Sequence, residues 1–508
     1  MVPEFRNEPL TDFAVSAHRQ AFEAAIAGVE ASAGRDYPLV IGGQRVTSGA
    51  WMVSQNPARP KEAVGRVARA GQTEAERALA AAQAAFETWS RTDPVERATV
   101  LLKAAAIMRR RKHELSATMV LEIGKPWAEA DADTAEAIDF CEFYAREMLR
   151  LAETQPLTRL AGMTNQLLYL PLGVGLVVPP WNFPLAILAG MTSAAIVAGN
   201  AVLLKPSSLT PVIGARFVEA LRDAGLPPGV LNFIPGPGGE VGEYLVAHPQ
   251  IRFVSFTGSR EVGTHLYELA AKVQPGQRWL KRVIAEMGGK DAIVVDETAD
   301  LEAAVEGVVT SAYGFAGQKC SACARLIAVN TIYDDLLERV AARAGTLRVG
   351  DPRAYETQMG PVADGGQFQK IAEYLDVGRG EGRLVLGGNT DSKDGYYVAP
   401  TIFADVAPDA RIAQEEIFGP VLTCIRARDY DEAIRIANDT PYGLTGSVYS
   451  RDRARLALAR REFHVGNLYL NRKCTGALVG AEPFGGFDLS GTDSKAGGRD
   501  YLLLLTQA

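Results

Sequence analysis

Between Gly173 and Ala285 five short apolar runs alternate with four stretches of helical periodicity. The runs are Gly173–Val178, Ala201–Leu204, Val230–Ile234, Phe253–Phe256 and Arg282–Ala285. The stretches between them are Phe183–Val197, Pro211–Ala224, Glu240–Ala247 and Glu261–Ala271. Each run is almost uniformly apolar instead of alternating with polar residues. A strand of that kind is covered on both faces, as in a parallel sheet whose crossover helices lie above and below it. The chain is therefore constrained to an α/β fold of the nucleotide-binding type. Ligands of such sheets sit outside the carboxyl ends of the strands.

Those ends are unusually rich in chemistry. After the first strand comes Pro179-Pro-Trp-Asn-Phe183, and after the second Lys205-Pro-Ser-Ser208. The third is followed by Pro235-Gly-Pro-Gly-Gly-Glu-Val-Gly242, the fourth by Thr257-Gly-Ser259, and the fifth by Glu286-Met-Gly-Gly-Lys290. None is the common GxGxxG fingerprint with its later acid. The GxGxxxG ending at Gly242 fits a tight helix entry as well as a phosphate loop.

A second alternating region follows, starting with the strand Asp291–Val295. A helix then leads to Gly317-Gln-Lys-Cys320, which stands before the strand Arg325–Val329. Two readings fit Cys320 on this stretch alone: a thiol exposed at a glycine-flanked junction, or a small buried apolar side chain. Cys320 and Cys323 form a CxxC, with no second CxxC and no histidine cluster to make a zinc site. The segments 75–91, 94–113 and 115–151 read as helices, and residues 1 to about 70 as an arm with small strands. Glu136 faces either solvent or an apolar helix side. Residues 157–172 alternate weakly, as a pair of strands would. Tyr501–Thr506 reads as an edge strand, after which the chain stops almost at once, as if a tail had been lost.

Composition removes other classes. At 508 residues two or three domains are expected. The net charge is −7, and the one basic run, Arg109-Arg-Arg-Lys112, reads as the solvated face of a helix, so no nucleic-acid partner is expected. No apolar run approaches the roughly 20 residues that cross a bilayer, and no membrane association is expected. The opening residues are polar and acid-bearing, unlike a secretory or transit signal. Five cysteines, few and odd in number, point to a reducing, cytoplasmic compartment without structural disulfides.

Seven motifs now stand in order: Pro180-Trp-Asn-Phe-Pro184, Lys205-Pro206, Phe256-Thr-Gly-Ser259, Glu286-Met-Gly-Gly-Lys290, Gly317-Gln-Lys-Cys320, Glu416-Ile-Phe-Gly-Pro420 and Pro483-Phe-Gly-Gly486. The series resembles the NAD(P)-dependent aldehyde dehydrogenase superfamily over about residues 37 to 500. A closer likeness is to the branch that oxidises L-glutamate γ-semialdehyde in proline catabolism. It rests on Phe5-Arg-Asn-Glu-Pro9, Ala135–Phe140, Gln318–Ala322 and Asn471–Gly480.

The resemblance implies a Rossmann-type NAD-binding domain over 1–156 and 173–285, a second α/β catalytic domain over 286–488, and a β oligomerisation flap over 157–172 and 489–508. It implies a homodimer or higher homo-oligomer, NAD as cofactor and no metal. Cys320 would attack the aldehyde carbon, Asn182 and the Cys320 N–H would hold the oxyanion, and Glu286 would activate water. Pro180, Trp181, Lys205, Ser208, Gly242, Thr257, Gly258, Ser259, Val262, Met287, Gly288, Glu416 and Phe418 would contact the dinucleotide. Ser321, Gly476, Ala477 and Lys319 would take the substrate carboxylate, Phe183 and Phe484 its aliphatic chain, and Glu136 its charged end.

One departure is expected to matter. Many NAD-specific relatives carry a glutamate where this chain has Ser208, so NADP should be rejected less strongly. Other readings stay open: a dehydrogenase of another semialdehyde such as succinic semialdehyde, a cysteine hydrolase or acyltransferase using Cys320 and Glu286, or a non-catalytic protein of the same fold.

Overall fold

The computed structural model describes residues 3–508; Met1 and Val2, which begin the polar opening, lie outside the described residues. Two seven-stranded sheets organise the chain. The first runs Arg282–Glu286, Phe253–Thr257, Val174–Val178, Ala201–Leu204, Leu231–Phe233, and then the hairpin Leu39–Ile41 with Gln44–Val46. Its five alternating strands are parallel, as their composition requires, and the hairpin adds an antiparallel edge. Leu176 and Leu203 face one apolar layer, while Val177, Val202 and Leu204 face the other. Val174–Val178 has Ala201–Leu204 on one side and Phe253–Thr257 on the other. The strand order reverses there, and a crevice opens above its carboxyl end, over residues 179–182.

The second sheet runs Arg383–Leu386, Thr401–Ala404, Val421–Ala427, Cys323–Val329, Asp291–Val295, Thr445–Tyr449 and Asn467–Leu470, parallel except at its first strand. Cys320 stands just before the amino end of Cys323–Val329, and Glu416 just before Val421–Ala427. The chain passes between the sheets at Glu286, the last residue of its strand. The carboxyl edge of one sheet thus meets the amino edge of the other.

Helical breaks follow the local chemistry. Pro94 occupies the first turn of Pro94–Arg110, and the Asp93 carboxylate accepts from the Val95 N–H. Gly124 ends Lys112–Ile123 in the left-handed conformation, and Trp127–Ala152 starts after Pro126. Gly42 and Gly43, both at positive φ, turn the edge hairpin.

Several expectations are corrected. The opening 70 residues include a helix, Ser16–Ala31, whose Phe22, Ile26 and Val29 are buried at helical spacing. Lys112 is not on a solvated face; it is buried, and its ammonium bonds Asp131 at 3.0 Å and the Pro9 carbonyl at 2.8 Å. The stretch 157–172 contains one two-residue strand, Leu170–Pro171, paired with Thr506–Gln507. Tyr501–Leu505 is a 3₁₀ turn buried against the core, because its four leucines and Tyr501 have more apolar surface than an exposed edge strand could cover. Of the span 489–508 only Thr506–Gln507 pairs with Leu170–Pro171; Ser494 and Ala496 lie at the Glu286 and Phe484 end of the cleft. Among the described residues no helix is long and apolar enough to cross a membrane.

A buried ion pair braces the helical layer against the cleft. Lys125 and Asp133 have no exposed side-chain surface and meet at 2.6 Å. The other Asp133 oxygen accepts from the Ala186 N–H at 2.6 Å, at the start of Ala186–Val197. The Lys125 ammonium also lies 4.1 Å from the Phe183 ring centroid. Removing one partner strands the other charge away from water. Lys125→Met is expected to destabilise the fold by about 3–5 kcal/mol, measured as a lowered urea midpoint.

Candidate active site

The turn that leads to Cys320 is built from unusual backbone. Phe315, Ala316 and Gly317 all have positive φ, at 50°, 54° and 67°. Two non-glycine residues in that region carry strain, which the packing of buried Phe315 and Ala316 must hold. Gly317 is required, since a Cβ there would strike the Gly419 carbonyl. The turn delivers Cys320 to the one place where a thiol is reachable. Cys141, Cys323, Cys424 and Cys474 are buried, and Cys320 is partly exposed. Cys320 combines parts of both readings: its side chain reaches the cleft and is still largely buried, while Cys323 lies in the core.

Cys320 lines two cavities at once. The larger, about 520 Å³, extends along the carboxyl ends of the first sheet. The smaller, about 110 Å³, lies beside Glu136, Phe183 and Phe484. Thr257 and Met287 also border both. Burial and the carboxylates of Asp291, Glu416 and Glu286 push the Cys320 thiol far up, so it is held protonated.

Two donors stand near the sulfur. Asn182 is buried, and its Nδ2 donates to the Gln318 carbonyl at 3.2 Å, which fixes the amide and leaves its second hydrogen unused. The Cys320 N–H has no acceptor among the described residues. Glu286 lines the smaller cavity with Cys320. Its carboxyl accepts from the Ser494 hydroxyl and from the Gly486 N–H, the latter at 3.4 Å. Burial raises it to about 7, against the opposing pull of those hydrogen bonds. An acid at that value exchanges protons readily near neutrality.

All thirteen residues expected to contact a dinucleotide line the larger cavity: Pro180, Trp181, Lys205, Ser208, Gly242, Thr257, Gly258, Ser259, Val262, Met287, Gly288, Glu416 and Phe418. The donor set suits such a ligand. Lys205 is buried and bonded only to the carbonyls of Pro206 and Gly236, so its charge has no carboxylate partner, and burial lowers it to about 8. Ser259 caps Arg260–Ala271, whose first N–H groups offer an anion site. Glu416 uses one oxygen to accept from the Gly289 N–H at 3.1 Å; the other is open to polyol hydroxyls. Trp181 and Phe418 meet edge to face, with centroids 5.4 Å apart. Ser208 is exposed at the cavity rim. Sequence reasoning missed Gln367 and Lys370 on this wall. Gln367 Nε2 donates to the carbonyls of Ile417 and Phe418 and so holds the Phe418 backbone, itself at φ 59°.

The smaller cavity gathers Glu136, Phe183, Ser321, Gly476, Ala477 and Phe484. Burial and the nearby Asp133 carboxylate raise Glu136 to about 8. Among the described residues the N–H groups of Gly476 and Ala477 have no acceptor, and the Ser321 hydroxyl makes no hydrogen bond. Gly476 adopts φ +77°, which glycine alone does without strain.

Lys319 stands behind the cavity wall; its ammonium is 2.6 Å from Glu129 in a largely buried pair, and its charge still acts on Glu136. The carboxylate on the neighbouring helix, one turn from the Gly124-Lys-Pro break, holds it back. Lys473, which the sequence reading passed over, lies beside Gly476, also behind the cavity wall. Ser494 was also missed, since nothing local marks a serine 208 positions beyond Glu286 as its partner. Among the described residues no cluster of metal-ligating side chains occurs.

The model of the aldehyde dehydrogenase family matches residues 46–508. A 1-pyrroline-5-carboxylate dehydrogenase of Geobacillus thermodenitrificans is 61% identical over 508 residues, covering 100% of this chain and 99% of that protein. The solved 1-pyrroline-5-carboxylate dehydrogenase from Thermus with bound NAD is 55% identical, with a TM-score of 0.98, and the match covers 100% of this chain and 98% of that one. Proline utilization A from Bdellovibrio bacteriovorus is 44% identical with a TM-score of 0.97, over 99% of this chain and 52% of that one.

The exposure pattern gives a direct check on the nucleophile. In the native protein a small alkylating reagent is expected to label one thiol, and Cys320→Ala to abolish that labelling. Modification of a second cysteine in the folded protein, read by peptide mass, would contradict it.

Proposed function

The chain belongs to the aldehyde dehydrogenase family, and we propose that it oxidises L-glutamate γ-semialdehyde, the open form of Δ1-pyrroline-5-carboxylate, to L-glutamate in proline breakdown. The observation that carries this reading is the set of unused donors on the smaller cavity. The N–H groups of Gly476 and Ala477 and the Ser321 hydroxyl stand together without acceptors. An α-carboxylate supplies the acceptors they lack, and Lys473 beside Gly476 adds positive charge. Glu136, held largely protonated when nothing faces it, ionises against an α-ammonium, which provides the missing countercharge. Phe183 and Phe484 enclose the methylenes between the two ends.

The reaction then follows from the residues. Cys320, partly exposed in the cleft, gives its proton to solvent as its sulfur bonds the aldehyde carbon, giving a thiohemiacetal. The Asn182 amide and the Cys320 N–H take the oxygen that becomes negative, and losing one such donor typically costs about 3–4 kcal/mol. Lys205, Ser259 and Glu416 would hold NAD in the larger cavity, where it would supply the two-electron acceptor for the hydride that leaves this carbon. A thioester remains on Cys320. Glu286, about half ionised near pH 7, accepts a proton from the water that cleaves the C–S bond, and the thiol returns as glutamate leaves.

The smaller cavity also separates this substrate from succinic semialdehyde, which has a carboxylate but no ammonium to meet Glu136. Ser208 neither chelates ribose hydroxyls strongly nor repels a 2′-phosphate, so NADP is used with a smaller penalty than in a glutamate-bearing relative.

Formation of reduced cofactor from an aldehyde panel tests the proposal. kcat/KM is expected to be at least about 100-fold higher for L-glutamate γ-semialdehyde than for pentanal, the size of effect that polar groups built for a partner produce when it is missing. Cys320→Ala is expected to form no reduced cofactor. Equal rates on the two aldehydes would remove the substrate assignment.

A further inference from the structure

The opening Phe5-Arg-Asn-Glu-Pro9 stands far in sequence from every residue in the mechanism, yet it reaches the wall of the smaller cavity. Asn7 Nδ2 donates to Asp139 Oδ2 at 2.8 Å and to the Val479 carbonyl at 3.0 Å. The Glu8 N–H donates to the second Asp139 oxygen at 2.6 Å. Asp139 lies on Trp127–Ala152, the helix that also carries Glu136 and Phe140. Val479 lies in the loop that carries Gly476 and Ala477. One side chain therefore ties together the two walls assigned to the two charged ends of the substrate.

The surrounding contacts hold that tie in place. Phe5 meets Phe143 edge to face at 5.3 Å. Gly480, at φ +79°, lies so close beneath both rings that an added Cβ would come 3.0 Å from Phe5. Upstream, the Pro3 carbonyl accepts from Arg146 Nε at 2.8 Å. Downstream, the Thr11 N–H and hydroxyl donate to the two Asp131 oxygens at 2.7 and 2.6 Å. The arm is thus fixed to one helix at both ends, and at its centre it grips the loop. The loop's other hydrogen bonds lie within it or run to Gly497, not to this helix: Arg472 donates to the Thr475 and Gly476 carbonyls, the Leu478 N–H to Glu482, and the Gly480 N–H to the Gly497 carbonyl at 2.9 Å, while the N–H groups of Gly476 and Ala477 are unengaged.

We propose that the amino-terminal arm, through Asn7, is a specificity-positioning element that fixes the distance between the 476–477 donors and Glu136 by clamping the Val479 loop to the Asp139 helix. It touches neither substrate nor cofactor. The inference rests on the reading that Gly476 and Ala477 take a carboxylate and Glu136 an ammonium. A loosened loop loses hold of a charged chain end and leaves attack on the carbonyl untouched.

The test compares full-length wild type, Asn7→Ala and Thr11→Ala in steady state at saturating NAD, with L-glutamate γ-semialdehyde and with pentanal. Thr11→Ala removes a bond of the same arm to the same helix without touching the loop, so it controls for a general loss of stability. Asn7→Ala is expected to raise KM for the semialdehyde about tenfold, the scale of one or two lost hydrogen bonds. Its kcat, and its KM for pentanal, are expected to stay within about twofold, and Thr11→Ala to leave both substrates unchanged. An equal shift on both aldehydes, the same shift in Thr11→Ala, or no shift in Asn7→Ala would overturn the positioning role while leaving the substrate reading intact. Wild-type enzyme that does not distinguish the two aldehydes would overturn the substrate reading and this inference with it. Should Asn7→Ala not fold, Phe5→Ala, which frees Gly480 from the other side, is held to the same outcomes.

Discussion

The site depends on how closely two sheet edges can approach. Cys320 belongs to the amino edge of one sheet and Glu286 to the carboxyl edge of the other, and their backbones must nearly touch for one substrate atom to reach both. Glycines make the approach sterically allowed. A Cβ on Gly289 would lie 2.5 Å from the Cys320 carbonyl, one on Gly288 would enter the Glu416 carboxylate, and one on Gly317 would enter the Gly419 carbonyl. The three positions lie on three sides of the same junction. Side chains there would push the sheets apart and separate the Cys320 thiol from the Glu286 carboxyl.

That closeness sets the electrostatics. Asp291, Glu416 and Glu286 crowd the sulfur, so with burial they favour the protonated thiol. Burial acts on Glu286 in the same sense and brings it to about 7. A positive charge entering the larger cavity offsets this field and favours the thiolate.

Much of this was legible in the chain. The uniform strands fixed the parallel sheet, and the strand ends named the wall of the larger cavity, because in such a sheet ligands follow from topology. What escaped depended on distance or on weak local signals. Ser16–Ala31 has no capping side chain to announce it, although Phe22, Ile26 and Val29 carried its period. Lys319 sits next to the nucleophile in sequence and was read as facing the substrate. The partner that withdraws it, Glu129, lies 190 positions away, while Lys473, which does approach Gly476, had no local mark. The leucines of Tyr501–Leu505 suggested a strand; burial on the core made a 3₁₀ turn the better solution. The arm motif was visible as a likeness without a role, since its contacts to Asp139 and Val479 span 132 and 472 positions.

In the proposed reaction one sulfur carries the substrate between two chemical steps, and Glu286 serves only the second. Intact-protein mass measurement on Glu286→Gln, mixed with NAD and L-glutamate γ-semialdehyde, tests this most directly. The expected result is one rapid equivalent of reduced cofactor with a single glutamyl adduct that maps to Cys320 and decays slowly. A burst of reduced cofactor with Cys320 unmodified, or an adduct on any other residue, would contradict the account.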